Sequence, residues 1–300
     1  PSDKEAGGDY VFTMPAVKEG TKVTFTATFT EITRTVFLSN VNNAAVTING
    51  IDAEAYHIDA NYDSTVTIKV TPDPGYKLTG LTVTRRSNGN LVKDFVDNID
   101  PAGGKYNFKM PAYNVDVNVT IVPIEYNVTW NNEAHSTISD DVPGHYEYKE
   151  VVNFSVTPEA GYQIKSVKAS YLDENGLKRN ITFDSDDPTD LTAKCDYTFT
   201  MPLNDVSIVV VTEPIIYKVS VSVVGSGAYR LNDNDTDVKW TNAAYKSTVK
   251  ITPEPALGWE LDSITASNTN AITANGDGTY TLSMDNPEDV TVTITYIQTT

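Results

Sequence analysis

Side chains able to do covalent or metal chemistry are few in this sequence, and none falls in a working pattern. The three histidines, His57, His135 and His145, lack metal-ligand spacing: there is no His-Glu-x-x-His stretch and no Cys/His cluster. His145, in Val142-Pro143-Gly144-His145-Tyr146, reads as a loop residue beside a turn. Cys195 is the only cysteine, which rules out an internal disulfide. A nucleophilic thiolate would need a paired histidine, and no signature for one is present. No serine lies in Gly-x-Ser-x-Gly, and no glycine-rich run has phosphate-loop spacing. With 40 acidic residues, some carboxylate pair will stand at a glycosidase-like separation by chance. The expectation is a protein without catalytic residues or enzymatic activity.

Binding chemistry has two candidate sites. Asp233, Asp235 and Asp237 place carboxylates on alternate residues of a loop, as a hard cation such as calcium requires. A second acidic cluster spans Asp184, Asp186, Asp187 and Asp190. Neither completes an EF-hand: the sixth position from Asp233 is Val238 and the twelfth is Ala244. A solvated acidic hairpin loop is the simpler reading, and calcium is the one cofactor these residues would suit. The other candidates are aromatic. Trp130, Tyr146 and Tyr148 lie close together in sequence, and exposed planar rings could stack on a sugar; cross-strand pairing within a sheet is the commoner use.

The charge narrows the partners. Lys plus Arg is 22 and Asp plus Glu is 40, so 22 − 40 gives −18, which disfavours nucleic acid and anionic membrane surfaces. No apolar run approaches the roughly 20 residues of a membrane span, so no membrane insertion is expected.

The elements that would position these residues repeat along the chain. All four methionines end a short alternating segment: Tyr10-Val-Phe12-Thr-Met14, Tyr106-Asn-Phe108-Lys-Met110, Tyr197-Thr-Phe199-Thr-Met201 and Tyr280-Thr-Leu282-Ser-Met284. A polar turn and a strict period-two run follow each: Val23, Phe25, Ala27, Phe29; Val115, Val117, Val119, Ile121; Val206, Ile208, Val210; Val290, Val292, Ile294. A second anchor is Thr71-Pro72-Asp73-Pro74-Gly75-Tyr76, again Thr157-Pro158-Glu159-Ala160-Gly161-Tyr162, and in the third copy Thr252-Pro253-Glu254-Pro255, with Gly258-Trp259 after two extra residues, Ala256-Leu257. The prolines stop a strand ladder, the glycine turns the chain and the aromatic opens the next strand. Asn-Gly turns at Asn49, Asn88 and Asn175 are hairpin chemistry. No segment carries a helical stripe. The sequence predicts an all-β chain of tandem small antiparallel β-sandwich modules, Ig-like, at about 31–122, 123–214 and 215–300. Residues 1–30 read as linker plus the terminal hairpin of an incomplete repeat. Proline-stiffened junctions, Val122-Pro123-Ile124-Glu125 and Thr212-Glu213-Pro214-Ile215, predict a semi-rigid rod. Sequons at Asn118, Asn127 and Asn153 fall inside predicted strands, which argues for a host that does not use them.

The pattern Thr-Pro-x-x-Gly-aromatic, then aromatic-x-Phe-x-Met-Pro, then Asp-Val-x-Val, resembles the divergent bacterial modules related to the internalin B-repeat, found in surface proteins and adhesins of Bacteroides-type bacteria. The resemblance implies that Pro72, Gly75, Tyr76, Met110 and Pro111 mark the fold, and it transfers no catalytic motif. It also makes a β-grasp repeat with a helix the alternative architecture. It implies an exported, extracellular or cell-surface protein for adhesion or as a stalk, anchored through an upstream segment. The expected partner is a host or bacterial surface glycan or protein, with the chain itself a monomer. A carbohydrate-binding accessory module of a polysaccharide-handling system is the alternative role.

Overall fold

The computed structural model describes residues 3–4, 10–14, 16, 18–39, 41–52, 57–92, 100–132, 135–139, 144–184, 190–234 and 238–300. These residues form strands and turns, and the helix of the β-grasp alternative is not among them. The sheets fall into three sets in chain order. In module 1, a sheet ordered His57–Asn61, Thr33–Leu38, Val115–Pro123, Tyr76–Arg85 shares a core with a second sheet, ordered Ile51–Asp52, Ala44–Ile48, Thr65–Pro72, Gly104–Lys109. Module 2 joins His145–Glu147, Glu125–Asn132, Val206–Pro214, Tyr162–Leu172 and Lys178–Ile181 in one sheet, and Ser136–Ile138, Val151–Pro158, Cys195–Thr200 in the other. Module 3 repeats the plan with Trp240–Ala244, Ile216–Val224, Val290–Gln298, Trp259–Ala266 over Gly227–Leu231, Thr248–Pro255, Tyr280–Ser283, Ile272–Ala274. Among the described residues, no strand pairing joins one module to the next.

Period-two sequence becomes period-two burial. Val66, Ile68 and Val70 are buried while Thr65, Lys69 and Thr71 are exposed, and each module closes a core of this kind. Full burial of one such side chain is worth about 1.5–3 kcal/mol. Met110, Met201 and Met284 lie deep in the three cores, which accounts for their recurrence.

Three departures from the sequence reading emerge. First, the sheets are not antiparallel throughout: the first and last long strands of each module pair in parallel, Val36 with Val115, Val128 with Val206 and Val219 with Val290. A parallel pair needs a long connection between its strands, and the rest of the module supplies it. Second, Val23, Phe25 and Phe29 form no strand; among the described residues of the first 30, the pairing is that of Asp3–Lys4 with Tyr10–Val11. Phe25 and Phe29 are 70% and 92% exposed. Alternation alone does not hold a strand where no sheet is available to pair with it. Third, module 3 has no insertion. Pro72 pairs with Ala44, Pro158 with Ser136 and Pro255 with Gly227, so Pro255, not Pro253, is the counterpart, and in every module the glycine follows that proline by three positions: 75 − 72, 161 − 158 and 258 − 255.

Candidate functional site: the joints between modules

The two sequence anchors meet at the module boundaries. At the methionine end of each module, a residue with positive φ follows a tyrosine: Asp63 at 61°, Lys149 at 68° and Lys246 at 64°. The methionine backbone clamps that turn. Asp63, Lys149 and Lys246 donate their N–H groups to the carbonyls of Met110, Met201 and Met284 at 2.8, 3.0 and 2.8 Å. The methionines donate back to Ser64, Glu150 and Ser247. The turn presents Tyr62, Tyr148 or Tyr245. At the opposite end, the proline-terminated strand turns at Gly75, Gly161 or Gly258, with φ of 88°, 87° and 80°.

Tyr148 of module 2 lies on Gly75 of module 1, and Tyr245 of module 3 lies on Gly161 of module 2. A Cβ added at Gly75 would stand 2.6 Å from Tyr148 Cβ, and one at Gly161 2.6 Å from Tyr245 Cγ, so both glycines are needed for close approach as well as for φ. At Gly258 the same turn is open, with nothing within 4 Å. The chain reinforces each joint: Ile124 N–H donates to Gly75 O at 2.8 Å and Ile215 N–H to Gly161 O at 2.9 Å. In the second joint, the Tyr245 ring meets Tyr162 edge-on at 5.4 Å, and His135 stacks on Tyr162 at 3.8 Å while its Nδ1 is 3.0 Å from Glu159 Oε2. Lys149 and Lys246 lie 5.1 and 5.0 Å from the centres of the Tyr148 and Tyr245 rings, contacts worth about 0.5–1 kcal/mol each at exposed sites. Lys246 also pairs with Asp285, whose hydrogen bond raises the lysine above its ordinary value; this gives a role to the aspartate that replaces the usual proline.

The aromatic candidates do not gather into an open platform. Tyr146 is 4% exposed and packs in the core of module 2 opposite Tyr126; Trp130 is half-buried beside Phe154, and Tyr148 belongs to the first joint. Burial raises the hydroxyl pKa of Tyr146, as does Glu150. Of the calcium candidates, Asp233 is exposed and ion-paired with Lys250 at 3.0 Å, and Asp235 and Asp237 lie outside the described residues. Among the described residues, no three His, Cys, Asp or Glu side chains converge to hold a metal. Asp184 and Asp190 are described; Asp186 and Asp187 are not. Cys195 is buried, and burial first, then Asp190, pushes its thiol pKa up, the reverse of what a nucleophile needs. His57 and His145 are exposed.

Of the joint tyrosines, the sequence singles out Tyr148 alone, and as a sugar-stacking candidate; a signal for all three exists. Each precedes its turn glycine by 13 positions: 75 − 62, 161 − 148 and 258 − 245.

The resemblance drawn from the motifs holds over the first module: residues 41–122 match the family described as the divergent InlB B-repeat domain. No curated protein matches the sequence. A solved structure, the Bacillus anthracis TIE protein, is similar at 8% identity, with 88% of this chain and 68% of that chain covered and a TM-score of 0.21.

Proposed function

We propose that this chain is part of an extracellular bacterial surface protein, a non-catalytic array of β-modules that acts as a stalk or spacer for adhesion to a surface glycan or protein. The observation that carries this reading is the parallel pairing of first and last strands. Because those strands run the same way, the chain enters each module at its tyrosine end and leaves at its glycine end, where the next module docks. An antiparallel pair would return the chain to its starting end and fold the array back on itself. The match of residues 41–122 to a surface-repeat family supports the location.

The last strand of a module has nine residues, or about 30 Å at ~3.3 Å each. Three modules in line make a rod of about 100 Å, with a radius of gyration of about 30 Å, against about 19 Å for a compact globule of this length. Small-angle scattering of the whole chain decides between them, and a value near the compact figure overturns the spacer reading. Antibody labelling of intact cells of the source bacterium tests the location; labelling only after lysis overturns it.

A further inference from the structure

Three of the chain's five arginines line one cleft at the methionine end of module 1. Arg34, Arg85 and Arg86, with Ser87, Tyr113 and Asn114, border an open, shallow cleft of about 370 Å³, within the size range of small-ligand sites. An adjoining cleft of about 450 Å³ shares Arg85 and Tyr113 and adds Lys109, Tyr62 and one carboxylate, Asp63, so the groove runs on past the arginines with cations still in excess. The other two arginines are paired, Arg179 with Asp173 and Arg230 with Glu254. In the cleft, only Arg86 has a carboxylate partner among the described residues, Asp116. Arg85 faces the Tyr113 ring at 4.6 Å, and its Nε is buried with no hydrogen-bond partner among the described residues. Arg85 as a whole is only partly buried and lines both clefts, so its guanidinium can offer a ligand the charge that no carboxylate among the described residues answers.

The sister modules show that the charge is particular to this one. Strand register places Arg34 where modules 2 and 3 have Tyr126 and Tyr217, and Arg85 where they have Tyr171 and Asn268. Asn114 stands where they have Asp205 and Asp289. All three side chains accept the same backbone N–H bond, from Thr35, Asn127 and Lys218 at 3.0, 2.8 and 2.8 Å. Module 1 therefore gains two arginines and loses the carboxylate that would neutralise them, in a chain of net charge −18.

We propose that this cleft binds the carboxylate groups of an acidic polysaccharide. Guanidinium groups match carboxylates in geometry, and the neutral polar side chains Ser87, Asn114 and Tyr113 can meet sugar hydroxyls. An acidic peptide fits less well, because the strand edge there is taken: Val92 N–H donates to Val83 O and Arg85 N–H to Asn90 O, leaving no edge for an added strand. The site stands whether or not the array is a spacer.

The test is calorimetric titration of the whole chain with tetragalacturonate, its methyl ester and an oligoglutamate. Saturable, salt-sensitive binding of tetragalacturonate alone is expected. Asn114→Asp restores the carboxylate of the sister modules, so it should fold and weaken binding by about tenfold or more. Arg34→Gln should weaken it as well. No binding at millimolar ligand, equal binding of the ester or of oligoglutamate, or affinity unchanged in both variants overturns the proposal.

Discussion

Gly161 and Gly258 occupy the same turn in successive modules, at φ of 87° and 80°, and differ in what faces them. Replacing either by alanine forces an L-residue into the left-handed region, at a cost of about 1–2 kcal/mol. At Gly258 the new methyl meets nothing within 4 Å, so that backbone cost is the whole effect. At Gly161 the methyl would lie 2.6 Å from Tyr245 Cγ, well inside contact distance. Either the turn distorts, at about 1–3 kcal/mol for an overpacked site, or Tyr245 withdraws and gives up its edge-on contact with Tyr162, about 0.5–1.5 kcal/mol. Gly161→Ala should therefore cost about 2–5 kcal/mol and Gly258→Ala about 1–2 kcal/mol. Urea unfolding followed by tryptophan fluorescence reads both, since Trp130 lies in module 2 and Trp240 and Trp259 in module 3. At a slope of about 2 kcal/mol per molar urea, the two midpoints should differ by about 1 M. Scattering should detect a loosened array in the Gly161 variant only. Equal losses in the two variants, with unchanged scattering, would refute the claim that the tyrosine-on-glycine contact holds the modules together.

Cys195 should resist aromatic disulfide reagents at pH 8 in the folded chain and react at once in denaturant, because burial and Asp190 disfavour its thiolate; rapid labelling of native protein would contradict that placement. Asp173 accepts hydrogen bonds from Leu177 N–H and from Arg179, which hold its pKa below the ordinary carboxylate value. Its folded pKa is thus lower than its unfolded one, so the stability it adds is present above about pH 5 and is lost as pH falls through the folded value; Asp173→Asn should flatten the acid limb of a plot of unfolding midpoint against pH, and an unchanged limb argues against it. Pulled from its two ends, each module loads its parallel pair in shear, and among the described residues the pairing covers 36–38 with 115–117 in module 1, against 128–132 with 206–210 and 219–224 with 290–295 in the others. Module 1 should therefore yield at the lowest force in single-molecule stretching, and an unfolding order that starts with module 3 would contradict this.

The parts of the fold legible in the sequence are those fixed by neighbours along the chain. Alternation marks Val66, Ile68 and Val70 as one buried face because strand side chains alternate whatever the strand pairs with. The turn glycines are legible for the same reason, since φ is a local property. Pairing is not local. Val23, Phe25 and Phe29 alternate as well as any true strand, and what they lack is a sheet to join, which no window of sequence reveals. Module 3 looks two residues longer in sequence because Thr252-Pro253 mimics the Thr-Pro pair of its sisters, whereas register fixes Pro255 through its partner Gly227. The arginine cleft was illegible because Arg34 and Asn114, 80 positions apart, are brought together only by the parallel pair.

That pair also decides what the repeats can build. With entry and exit at opposite ends, the last strand of one module runs through Pro123-Ile124 or Pro214-Ile215 straight into the first strand of the next, and the tyrosine turn beside that strand is carried onto the glycine just left behind. One spacing, 13 residues from tyrosine to glycine, therefore spans the module from the half of the joint it presents to the half it receives. The joint can form without a change in either core, because it uses turn backbones and surface rings and, among the described residues, no strand pairing. The core residues and the joint residues are thus independent requirements, which is how module 1 can carry an arginine cleft at its methionine end where its sisters carry tyrosines and aspartates, and still dock in the same array.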